Sequence, residues 1–217
     1  MSVGQVRRFL EESRERGFRW EWLVLAGGEP TCHPEFLEIV DLVFRYRNES
    51  SSETLIGVVT NGYSERARRL VAQLPPDVRL NNSCKTGRVQ PSFHTYQVAP
   101  MDVPEYTGAD FFNGCWETKG CGLGITPYGY YPCPVAGSID RVFGFNLGRK
   151  VLPDDQDDMK HELRTFCRLC GRFMLGAWEP SEDPVASPTW VQAYARAREM
   201  PAKLSRLGEL PHPPQSA

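Results

Sequence analysis

The first two-fifths of the chain alternates two hydrophobic periods. Val3, Val6, Phe9 and Leu10 recur at helical spacing among charged residues, so residues 3–16 read as an amphipathic helix that Gly17 ends. Trp22-Leu23-Val24-Leu25-Ala26 is a short apolar run stopped by Gly27-Gly28, the pattern of a buried strand. Pro34 suits the first position of a second helix, whose core face is Phe36, Leu37, Val40, Val43 and Phe44. Leu55 to Val59 is a second β-rich run, closed by Thr60-Asn61-Gly62. Ser64 is placed to cap a helix buried through Ala67, Leu70, Val71 and Leu74, and Val78-Arg79-Leu80 reads as a third strand. Such alternation predicts an α/β fold with parallel strands and right-handed crossovers.

After Asn82 the pattern dissolves. Residues 84–153 are rich in Gly, Pro and aromatics and show no long helical period. Helix returns at 157–166 and at 189–206, where Trp190, Val191, Tyr194 and Ala197 share a face. Pro211 to Ala217 reads as a loose tail.

Composition sharpens this picture. The chain has 217 residues and a formal net charge of −2. That balance argues against nucleic acid as the main partner, since phosphate-binding surfaces show a basic excess. No apolar run approaches the ~20 residues that span a bilayer, which argues against a membrane partner. Residues 1–16 resemble neither a signal peptide nor an anchor, so the expected location is the cytoplasm. Seven cysteines in such a chain point to metal or redox chemistry rather than to disulfides.

Gly27-Gly28-Glu29-Pro30-Thr31 lies where the first strand ends and a helix follows, the edge at which parallel α/β folds bind ligands. The glycines let backbone approach a ligand, and the Glu29 carboxylate suits an ammonium group. A plain tight turn with a solvated Glu29 gives the same pattern. With Cys32-His33-Pro34 following, and with Val58-Val59-Thr60-Asn61-Gly62 on the next strand, the segment resembles the radical S-adenosylmethionine superfamily. The resemblance implies that Gly27, Gly28, Glu29 and Pro30 hold the methionine moiety of the cofactor, with Glu29 on its ammonium. It implies lesser pocket roles for Asn61 and for Ser83, the latter toward the ribose or carboxylate. One departure is large: the Cys-x3-Cys-x2-Cys loop of that family is absent. The expectation is a family member without its first strand and cluster loop, inactive as this chain alone. A fragment or mis-called start codon gives that pattern, and so does a degenerate relative.

Cys115, Cys121, Cys133, Cys167 and Cys170 form the second candidate site. Cys167-Arg168-Leu169-Cys170 is a Cys-x2-Cys chelate. With three cysteines upstream, a four-thiolate centre is favoured over structural thiols, and zinc suits it as well as an iron–sulfur cluster. Cys121 to Cys133, with a Tyr128-Gly129 turn and a Pro132-Cys133 end, resembles the SPASM and Twitch auxiliary-cluster extensions of the same superfamily. Gly144-Phe145-Asn146-Leu147-Gly148 resembles the stretch that follows. Five cysteines suffice for one [4Fe–4S] cluster, the shorter Twitch form. Thirteen residues separate Cys115 from Gly129 and seven separate Cys121 from it. The longer spacing is the family's, which favours Cys115, Cys133, Cys167 and Cys170, with Cys121 as the spare. Cys32 and Cys84 read as small buried hydrophobes, and His33 as a helix cap.

Taken with the resemblance, residues 1–83 are expected to form an incomplete (β/α) partial TIM-barrel half. Residues 84–175 would be a small irregular cysteine-rich auxiliary-cluster domain, and 176–217 a C-terminal helix and tail. The implied activity is reductive cleavage of S-adenosylmethionine and radical modification of a small-molecule or peptide substrate, supplied by an electron donor. The alternative is a non-catalytic zinc- or iron–sulfur-binding module.

Overall fold

Ser2 starts the first helix, α1 (Val3–Glu15), through a capping box. Its hydroxyl accepts from the Gln5 amide at 3.2 Å, and the Gln5 side chain accepts from the Ser2 amide at 2.9 Å. Gly17, at φ +69°, ends it. The computed structural model describes residues 1–174, 178–180, 185–201 and 203–208. It divides into two units, Met1–Gln90 and Pro91–Ala217, and the tail expected at 211–217 lies outside the described residues.

In the first unit β1 (Trp22–Leu25), β2 (Leu55–Thr60) and β3 (Arg79–Asn82) form a parallel sheet in the order β1-β2-β3. Helices α2 (Phe36–Ser50) and α3 (Glu65–Val71) make the crossovers. Phe36 and Val40 of α2, with Leu70 of α3 and Leu74 just beyond it, pack on fully buried Val58 of β2. Both crossovers therefore lie on one face of β2. The opposite face is bare: Trp22 is 42% exposed and Val24 51%, with Leu55 and Val59 exposed beside them. Parallel sheets are ordinarily covered on both faces. The sheet is open, and the described residues contain no closed barrel. One helix boundary in this unit moves from expectation. The α2 helix starts at Phe36 rather than Pro34, because Pro30–Cys32 first forms a 3-10 turn. His33, expected as the helix cap, does not cap α2: the N-cap is Glu35, which has no side-chain capping bond, and His33 Nδ1 accepts from the Glu35 amide at 3.1 Å in the turn before the helix.

The second unit is a mixed α/β assembly of short elements. β4 (Ser92–His94) pairs antiparallel with β7 (Trp178–Pro180), and α4 (Trp116–Cys121) precedes the hairpin β5 (Gly124–Thr126)–β6 (Gly129–Tyr131). An isolated bridge joins Tyr130 to Arg149 on the free edge of β6. There the chain passes so close that a Cβ on Gly129 would lie 2.4 Å from the Arg149 carbonyl oxygen, and one on Gly148 would lie 2.5 Å from Tyr131 Oη. Helices α5 (Ala136–Phe143), α6 (Lys160–Cys167) and α7 (Pro188–Glu199) close around a core of Tyr131, Ile139, Phe166 and Trp190. Trp190 is fully buried and donates its indole N–H to the Leu169 carbonyl. The sequence pattern missed α5, which lies inside the Gly- and Pro-rich stretch, directly after Pro132 and Pro134 and with Gly137 in its first turn. It also ran α7 too far, since Met200 caps the helix and Pro201 follows. Among the described residues no helix is long and apolar enough to cross a membrane.

Candidate functional sites

Strand order brings Gly27 to Pro30, Asn61 and Ser83 to the same, C-terminal edge of the first unit's sheet. The Ser83 amide donates to the Thr60 carbonyl at 3.0 Å and the Lys85 amide to the Asn61 carbonyl at 2.9 Å, so the third loop follows the second. A Cβ on Gly27 or Gly28 would meet nothing within 4 Å, so both backbones face open space. Glu29 is occupied by the chain itself. Its Oε1 accepts from the Thr31 hydroxyl at 2.6 Å, the Thr31 amide at 3.1 Å and the Thr60 hydroxyl at 2.9 Å. Its Oε2 accepts from the Asn61 amide at 2.7 Å and shares the Thr60 hydroxyl at 3.0 Å. Burial alone would raise its pKa, but the hydrogen bonds from Thr31, Asn61 and Thr60 outweigh it and hold the carboxyl below the usual range. Glu29 thus clamps the end of β1 to the end of β2. The Asn61 side chain is likewise used locally, accepting from the Tyr63 amide at 2.9 Å.

In the second unit, Cys115, Cys133, Cys167 and Cys170 line one pocket. They come from three stretches: the residue before α4, the segment after β6, and the end of α6 with the turn beyond it. Val135, Ile139, Phe166 and Phe173 complete apolar walls, and Glu117 and Arg172 add an ion pair. Burial pushes the Cys167 thiol strongly up, the neighbouring Cys133, Cys115 and Cys170 sulfurs adding to it. Burial pushes Cys170 up to about 12 and also raises Cys133. Four thiolates cannot share this pocket without a cation to offset their charge. Among the described residues no three donors are drawn closely enough together to hold a single metal ion.

Cys121 stands apart from that set. It is exposed, does not line the pocket, and donates its S–H to Glu117 Oε2 at 3.2 Å. Desolvation of its sulfur and then the Glu117 carboxylate push its thiol up to about 11. Cys32 and Cys84, expected to be buried, are exposed, Cys32 at the end of the 3-10 turn and Cys84 in the loop beyond β3. Four site residues escaped the sequence reading: Thr31 and Thr60, which fill Glu29, and Glu117 and Arg172 in the thiol pocket. Their only signal is position, each pocket residue standing two beyond a pocket cysteine. Comparisons with family models, curated proteins and solved structures return no match.

Proposed function

We propose that this chain is a portion of a radical S-adenosylmethionine protein whose second unit carries an auxiliary [4Fe–4S] cluster on Cys115, Cys133, Cys167 and Cys170. The convergence of those thiols on one pocket carries the reading. The donor set fits the group: four soft ligands, apolar walls that exclude water, and thiols that burial holds protonated until a cation replaces the proton. Zinc needs its four donors about 2.3 Å from one point. The cavity between the four thiols is about 10 Å³, room for about one water, so its size does not favour a cluster over zinc. When bound, the cluster supplies electron transfer or a ligation site for substrate. Arg172, held by Glu117, places a positive charge beside the thiolates.

The first unit supports an incomplete (β/α) barrel through its sequential strand order, its one-sided crossovers and its bare opposite face. On this reading the substrate is a small molecule or a peptide, and a separate electron donor serves the protein. Glu29 does not fit the role of ammonium acceptor, because Thr31, Thr60 and Asn61 already occupy its carboxylate. This observation favours a second reading for the chain by itself, a non-catalytic iron–sulfur or zinc module. The absent Cys-x3-Cys-x2-Cys agrees with it.

Anaerobic incubation with iron and sulfide is expected to give the absorption of a [4Fe–4S] cluster, lost in Cys167→Ala. Tight zinc uptake without cluster assembly would leave only the zinc module. With S-adenosylmethionine and a strong reductant, the chain alone is expected to release no 5′-deoxyadenosine. Its release would contradict the absence of a radical-generating site.

A further inference from the structure

Arg164 of α6 and Arg168, the C-cap of that helix, do not line the thiol pocket. Arg164 and Arg168 stand four residues apart, on one side of the helix end, and both are exposed, whereas Phe166 and Cys167 are buried. They line a cleft of about 400 Å³ together with Tyr106, Phe111 and Phe112. That size falls in the range of small-molecule sites.

Neither guanidinium forms an ion pair with any described residue. The Arg164 guanidinium lies 5.1 Å from the centroid of the Phe112 ring, and Arg168 Nη2 donates to Met101 Sδ at 3.5 Å. Asp110 also lines the cleft; it accepts from the Phe112 amide at 2.9 Å and from Asn113 Nδ2 at 2.5 Å, both neutral donors, so its charge remains and the two guanidiniums must outweigh it. Lys160 pairs with Asp158, and Arg149 holds Asp157 and Glu162. Two guanidiniums so placed keep their capacity for paired hydrogen bonds to an oxyanion. The aromatic wall beside them is braced from behind, Phe111 and Tyr106 each packing on the ring of Phe173 at 4.7 and 6.3 Å.

We propose that this cleft binds a small organic anion. A carboxylate or phosphate is gripped by Arg164 and Arg168, and an aromatic or apolar body lies against Tyr106, Phe111 and Phe112. The cleft adjoins the thiol pocket, since Arg168 lies between Cys167 and Cys170 and Phe173 lines that pocket while bracing this wall, but the proposal requires no cluster there.

Calorimetric titration of the full chain with phthalate and with phenyl phosphate tests it, neutral dimethyl phthalate serving as control. Phthalate or phenyl phosphate is expected to bind, the stronger of the two distinguishing carboxylate from phosphate, and dimethyl phthalate is expected not to. R164Q and R168Q should each weaken binding about tenfold, as for loss of a charge-assisted hydrogen bond. The thermal midpoint should stay unchanged, since both side chains are exposed. R164K/R168K keeps the charge and should still bind several-fold more weakly than the parent chain, because it lacks the forks. Absence of binding by both anions, equal binding of dimethyl phthalate, or undiminished affinity in R164Q/R168Q overturns the proposal.

Discussion

Glu29 shows how a carboxylate placed where a ligand would bind can be taken up by the fold instead. Its position after a strand invites a ligand, yet its oxygens are filled by Thr31, Thr60 and Asn61. Glu29→Gln removes the charge from these bonds and is expected to lower stability by roughly 1–2 kcal/mol in a urea titration at pH 7. The sign of the pH dependence follows from the lowered carboxyl pKa. The unfolded chain takes up its proton first as pH falls, so this contribution is present above about pH 4.3 and is lost below it. Glu29→Gln should therefore flatten the acid limb of the stability curve; an unchanged limb would remove Glu29 from the clamp. Gly148 is the other residue with a sharp prediction. A methyl group there would meet Tyr131 Oη and the Tyr128 carbonyl at 2.5 Å. Gly148→Ala should cost about 1–3 kcal/mol by overpacking, read as a fall in thermal midpoint.

At the scale of elements, Asp140 does most to join the irregular pieces of the second unit. It is fully buried on α5, and its Oδ2 accepts from Tyr131 Oη at 2.7 Å and the Leu147 and Gly148 amides at 3.1 and 3.3 Å. Asp140→Ala leaves those donors unpaired in the core and is expected to cost about 3 kcal/mol or more. Near-ultraviolet circular dichroism should register the loosened Tyr131 before helix content falls. Elements with strong periods were legible from sequence: α1, β1, β2 and α6 lie close to where hydrophobic spacing puts them, and Ser64 caps α3 through the Ala67 amide. The remainder was not, because its order comes from contacts distant in sequence. No local pattern announces that Arg149 will bridge Tyr130, or that Glu117 and Arg172 will meet. In the thiol site, the family resemblance favoured four of five cysteines, but their shared pocket depends on the packing of α4, α6 and the hairpin. The engagement of Glu29 was hidden for the same reason, since Thr60 lies 31 residues away.

For the molecule as a whole, the two units carry different chemistry, a sheet edge in one and a thiol pocket in the other. The buried thiols make a prediction for the metal-free chain. Burial holds Cys170 at about 12, whereas an unfolded thiol ionises near pH 8.5, about its free value. The unfolded state then loses protons that the folded state keeps, so stability should fall as pH rises above about 8.5. Loading the site should abolish that fall, because bound thiolates carry no proton to lose. Denaturant midpoints at pH 7 and pH 10, with and without iron and sulfide, measure it. The most direct test of the central claim is iron and acid-labile sulfide content after anaerobic reconstitution, taken cysteine by cysteine. The account predicts that Cys115→Ser, Cys133→Ser, Cys167→Ser and Cys170→Ser each lose the cluster, whereas Cys121→Ser, Cys32→Ser and Cys84→Ser retain it. Loss of the cluster in Cys121→Ser, or its retention in any of the first four, would contradict the assignment.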